Sequence, residues 1–146
     1  MTTRSLDARP GGDLSVDGVG PQGHEVQQTF PSAIESVAAA RHFARDVCER
    51  WQIASARDVE ICVSEVVANA VTHGEGEVGV ELVRTPWGVR VAVSDGAREL
   101  PVVRPPTRDG EGGRGMAVVS ALAVRWAARP TDHGKVVWFH VSERGD

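Results

Sequence analysis

Three groups of residues have the types and spacing to do chemistry. Glu65, Asn69 and His73 stand four apart, so on a helix they stack along one side, about 100° around from an apolar stripe centred on Val66. Their neighbours Val63, Ser64, Val66, Val67, Ala68, Ala70 and Val71 are small or apolar, which buries such a helix on most sides. An isolated Glu-x-x-x-Asn pair is ordinarily a solvated helix face. A carboxylate and an amide on a mostly buried helix need partners, because burying them bare is costly. A ligand or a metal supplies such partners.

The second group is Ser94-Asp95-Gly96, an apolar strand ending in an acid and a glycine. An Asp there can accept from an exocyclic amine, although Asp-Gly after a strand is more often only a turn. The third is Gly112-Gly113-Arg114-Gly115-Met116, where a loop meets a helix. Glycines let consecutive amide N–H groups point into one concavity, and a helix N-terminus adds partial positive charge, a combination that suits polyphosphate. Arg114 adds a charge-assisted contact, and a flexible hinge is the plain alternative. The run is not a P-loop, since no G-x-x-x-x-G-K-[ST] is present.

The elements that must position these residues follow from periodicity. Val26, Gln28 and Phe30 alternate up to Pro31, as in a first strand. Ser32, with Glu35 three residues on, predicts the N-cap of a helix carrying Ile34, Val37, Ala38, Ala44, Val47, Cys48 and Trp51. Ser55, with Asp58, predicts a second cap, followed by a stripe of Val59, Cys62, Val63, Val66, Val67 and Ala70 that stops at Gly74. The period then becomes alternating: Val78, Val80 and Leu82, a turn at Thr85-Pro86-Trp87-Gly88, then Val89, Val91 and Val93. A long loop from Ala97 to Gly113 leads to a third helix with Met116, Val119 and Leu122. Strands at 125–129 and 135–141 close the chain around Thr131-Asp132-His133-Gly134. The order β-α-α-β-β-α-β-β, with mostly antiparallel strands and the helices on one face, predicts a two-layer α/β sandwich.

The chain has 146 residues, 41% hydrophobic and 25% charged, with net charge −4. That suits one domain with a packed core and argues against a protein devoted to binding a nucleic-acid backbone. No apolar run reaches the length of a membrane span, and a cytoplasmic protein without nucleic-acid or membrane partners is the expectation. Residues 1–24, rich in Gly and Pro, predict a disordered tail, with the domain at 25–146. Cys48 and Cys62 read as buried reduced thiols. Lys135, the only lysine among 16 basic residues, reads as codon bias without mechanistic bearing. His24, His42, His133 and His140 lack ligand spacing, Trp126 and Trp138 read as packing residues, and Arg98, Arg104 and Arg108 as solvated loop arginines.

The order Glu-x-x-x-Asn on a helix, Asp-Gly after a strand, Gly-Arg-Gly before a helix resembles the N-box, G1 and G2 segments of the GHKL ATP-binding superfamily, which includes gyrase, histidine kinases and a mismatch-repair ATPase. Within it, the chain looks most like the small stand-alone anti-sigma-factor serine kinases abundant in actinobacteria. The matching stretches are residues 64–74, Glu111 to Met116, and Gly134-Lys135-Val136-Val137-Trp138; the likeness covers about residues 25–143. The resemblance implies the Bergerat-type ATP-binding fold. It implies Mg²⁺ and ATP as ligands, with Asn69 holding the metal, and Glu65 orienting or deprotonating an attacking hydroxyl. Asp95 with Gly96 would receive the adenine amine, and Gly113, Arg114, Gly115 and Met116 would line the phosphate side under a lid at 97–112. His73 ends the N-box. It further implies a protein serine/threonine kinase whose partners are a sigma factor and an anti-sigma antagonist, with homodimers common in the family. A catalytically weak ATP-binding or sigma-binding module of the same fold is the alternative, and a plain ATP-binding domain of a histidine-kinase system a third reading. One departure stands out: the family's Asp-x-Gly-x-Gly reads Asp95-Gly96-Ala97-Arg98-Glu99 here, which predicts a differently shaped lid and weaker nucleotide affinity.

Overall fold

A computed structural model describes residues 24–73, 76–97 and 114–143. Strand β1 (Glu25–Phe30) is followed by helices α1 (Glu35–Arg50) and α2 (Ala56–His73), the hairpin β2 (Val78–Thr85) and β3 (Gly88–Asp95), helix α3 (Arg114–Leu122), and the hairpin β4 (Arg125–Pro130) and β5 (Lys135–Ser142). The five strands form one antiparallel sheet in the order β1-β2-β3-β5-β4. This is the predicted α/β architecture. The ladder runs one residue beyond β1, since the Arg84 N–H donates to the His24 carbonyl at 2.8 Å.

Strand alternation sends Val80, Leu82, Val91, Val93, Val137 and Phe139 to one face, where each is at most 2% exposed. The α2 stripe of Val59, Cys62, Val63, Val66, Val67 and Ala70 meets them there. Helix α2 packs against α1, α3, β2, β3 and β5, so it reaches the middle of the sheet and both neighbouring helices.

The helix starts differ from expectation. Ser32 does not cap α1: the N-cap residue is Ile34, without a side-chain hydrogen bond, and Ser36 sends its hydroxyl to the Pro31 carbonyl at 2.6 Å. A tight turn of Ser36 N–H to Ala33 and Val37 N–H to Ile34 leads in, which rotates Ile34 out to 70% exposure and puts Ala40 in the core instead. Ser55 precedes α2 as predicted, yet its buried hydroxyl finds no partner. The end of α1 is a Schellman turn: Ile53 N–H donates to Cys48 and Gln52 N–H to Glu49, with Gln52 left-handed at φ 57°.

Candidate active site

The first cluster lies where β3 ends and β5 begins. The antiparallel register sets Asp95 opposite Lys135, and both follow the inward parity of Val93 and Val137. The Lys135 ammonium reaches both carboxylate oxygens of Asp95, each at 3.0 Å, with the side chains 1% and 2% exposed. The Ala97 N–H also donates to Asp95 Oδ1, at 2.7 Å. Two opposite charges buried this far are tolerable only as a pair, and removing one partner typically costs about 3–5 kcal/mol. Gly134 makes the approach possible, because a β-carbon there would run into the Asp95 carbonyl and Gly96 Cα.

This cluster corrects the sequence reading of Lys135. Far from being incidental, it is the buried counter-charge of the candidate adenine-reading acid. The signal was present in the alternation Lys135, Val137, Phe139, Val141: a cation on the inward parity of a buried strand needs an acid in the adjoining one. Ala97 stands where the family pattern has glycine, and it fits. It is buried, and among the described residues Gln52 is the sole non-glycine with positive φ, so no left-handed backbone is demanded there.

The second cluster lies between α2 and α3. A β-carbon on Gly115 would stand 2.8 Å from Glu65 Oε1, so the carboxylate sits against the first turn of α3. Asn69 follows one turn on, half-buried like Glu65. Neither side chain forms a hydrogen bond or ion pair among the described residues. Beside Glu65, the Ser64 hydroxyl is buried without a partner. Helix α2, packed on both α3 and β3, connects the two clusters.

Other expected site residues fall out variously. His73 is the last residue of α2 and Arg114 the first of α3; their side chains lie outside what is described, as do Gly113, the rest of the segment 98–113 with Arg98, Arg104 and Arg108, and residues 1–23. Met116 sends its side chain into the core at 3% exposure, so its main chain is what it can offer a ligand. Trp126 donates its indole N–H to Ser120 Oγ at 2.8 Å. Cys48 and Cys62 are free and buried, and burial pushes both thiols up to about 12, which makes them poor nucleophiles. His140 is half-buried and bonded to Thr85 Oγ1 at 2.9 Å. Burial, then the charges of Arg125 and Arg90, lowers it to about 4.

These features fit a magnesium nucleotide. Glu65 and Asn69 on α2 have no protein partner among the described residues, and glycines stand at the close approaches beside Asp95 (Gly134) and Glu65 (Gly115). Among the described residues no group of three or more His, Cys, Asp or Glu could hold a metal by itself. An amide oxygen such as that of Asn69 is a hard donor of the kind Mg²⁺ accepts beside water and phosphate. No helix of the described residues is long and apolar enough to cross a membrane.

Among curated proteins none matches the chain. A family model described as the histidine kinase-like ATPase domain matches residues 30–141. The match runs from the last residue of β1 almost to the end of β5 and takes in Glu65, Asn69, Asp95, Gly115 and Lys135. Spanning well over half of the chain, in a fold of the shape that family requires, it places the protein in the histidine kinase-like ATPase family of the GHKL superfamily, whose domains use ATP.

Proposed function

We propose that the protein is an ATP-dependent serine/threonine kinase of the anti-sigma type, phosphorylating an anti-sigma antagonist and also binding a sigma factor. The observation that carries this reading is Glu65: a half-buried carboxylate against the N-terminus of α3, with no hydrogen-bond partner among the described residues. A carboxylate at such a place is available to a hydroxyl that must lose its proton. ATP, when bound, supplies the transferred phosphoryl group and leaves as ADP. Glu65 takes the proton of the attacking serine hydroxyl. Asn69 would hold Mg²⁺ through its amide oxygen, Asp95 beside Gly96 would accept from the adenine amine, and main-chain N–H groups of Gly113, Arg114, Gly115 and Met116 would serve the phosphates. His73 closes the α2 motif. Homodimerisation, common in the family, goes with this proposal.

A second reading is a weakly catalytic ATP-binding or sigma-binding module, favoured by the Lys135 cation that already occupies Asp95. Incubation with labelled ATP, Mg²⁺ and a candidate antagonist decides between them. Label on an antagonist serine supports the kinase. Sigma-factor binding with no label on any candidate leaves the module.

A further inference from the structure

Lys135 is a buried cation whose contacts among the described residues leave one donor over. An ammonium carries three N–H bonds. The contacts recorded for it go to Oδ1 and Oδ2 of Asp95, each at 3.0 Å, and the side chain is 1% exposed. Among the described residues no other acceptor meets it. The adjoining carboxylate takes the Ala97 N–H as well, and Gly134 packs against the main chain of Asp95 and Gly96. The junction of β3 and β5 therefore holds an acceptor and a donor side by side. A group that reaches one of them meets the other.

Stability alone is a poor reason for this pair. Apolar residues of similar volume commonly replace buried ion pairs without loss, and Val93 and Val137 fill the neighbouring inward positions. The residue type also matters. Every other basic residue of the chain is arginine, yet here stands the compact ammonium, which can serve one carboxylate and still present a single N–H to a neighbouring atom. Adenine carries the complementary pattern on its pairing edge, where the exocyclic N6 amine donates and the adjacent ring N1 accepts.

We propose that Lys135 is a specificity-determining residue of the nucleotide site, donating to adenine N1 while Asp95 accepts from N6. The base is then held by two charge-assisted hydrogen bonds rather than one. Asp95 holds the ammonium in place through both carboxylate oxygens. This rests on the ATP-binding reading above and adds to it a second contact on the same base.

Calorimetry on the whole protein with Mg²⁺ tests it, using ATP, 1-deaza-ATP (N1 replaced by C–H) and purine riboside triphosphate (no N6 amine). Each analogue is expected to bind roughly tenfold or more weakly than ATP, since each leaves a buried polar group unpaired. The double variant Asp95→Asn/Lys135→Met, in which no charge is left buried alone, should lose the distinction between ATP and 1-deaza-ATP. Equal affinities in the parent overturn the inference. So does a 1-deaza penalty that survives in the double variant, because another donor then reads N1. A double variant that binds ATP more tightly overturns it too, since Lys135 then only covers the acid. Should that variant lose its native circular dichroism, the parent's ratio of ATP to 1-deaza-ATP decides alone. A parent that binds ATP but does not distinguish N1 leaves the kinase reading standing; a parent that binds no adenine nucleotide removes both.

Discussion

Gly115 and Glu65 face each other across the α2–α3 contact so closely that a β-carbon on the glycine would lie 2.8 Å from Oε1 of the acid. The atom it would meet is the far end of a flexible side chain, so the clash is relieved by moving the carboxylate and not the backbone. Gly115→Ala should therefore fold with stability within about 1 kcal/mol of the parent. It should lower phosphoryl transfer by about tenfold or more, because Glu65 is pushed from its place. Thermal unfolding and a transfer assay on the same sample check both halves. Transfer at the parental rate would detach Glu65 from the reaction.

Glu65 and Asn69 lie one turn apart on α2, yet their removal should separate chemistry from binding. Glu65→Ala is expected to keep ATP affinity within a few-fold and to cut transfer by about 10² to 10⁴. Asn69→Ala should weaken Mg²⁺-ATP binding at least about tenfold, equivalent to about 1.4 kcal/mol, with native circular dichroism. Titration calorimetry and single-turnover transfer, run on both variants, would show the two patterns or their absence.

Gly134 packs against backbone, not against a movable side chain. Gly134→Ala must push β5 away from Asp95 and should cost roughly 2–3 kcal/mol. Gly79→Ala is the comparison, because the added carbon there would meet the Ser94 hydroxyl at 2.7 Å, and Ser94 is an exposed side chain that can turn aside. Urea denaturation of the two variants should show a clear gap between them.

Gln52 holds φ 57° at the end of α1, a conformation that costs an L-residue about 1–2 kcal/mol. Gln52→Gly keeps the Ile53-to-Cys48 and Gln52-to-Glu49 main-chain bonds and removes the strain. The expected gain is about 0.5–1 kcal/mol, reduced from the full strain by the greater freedom of glycine in the unfolded chain. A fall in melting temperature would show that the Gln52 side chain contributes contacts that outweigh its backbone.

The lowered His140 makes stability depend on pH in a stated direction. Its folded value is about 4 against the ordinary 6.5, so the unfolded chain takes up the proton first. Its contribution is fully present above pH 6.5 and is lost as the pH falls through 6.5 toward 4. The slope should stay below about 1.4 kcal/mol per pH unit, because the ring is only half-buried and screened by solvent. His140→Gln keeps a partner for Thr85 and should flatten this part of the profile, as measured by denaturation at pH 4.5 and 7.

The sequence by itself determined the element order, the single sheet and the apolar stripe of α2, because hydrophobic period is a local property and survives without knowledge of neighbours. It also singled out Glu65, Asn69, Asp95 and Gly115, whose types are out of keeping with their surroundings. Caps were less legible: Ser32 has the right residue type, but a tight turn at Ala33 and Ile34 displaced the helix start, and Ser55 sits at the right place without using its hydroxyl. Tertiary structure alone decided which strand lies beside which. The connection through α3 carries the chain to β4 at the sheet edge, and the hairpin returns β5 next to β3, which brings Lys135 to Asp95 across 40 residues of chain. The physical reason is that an ion pair depends on distance in space and on exclusion of water, and neither quantity is written in the spacing of residues along the chain.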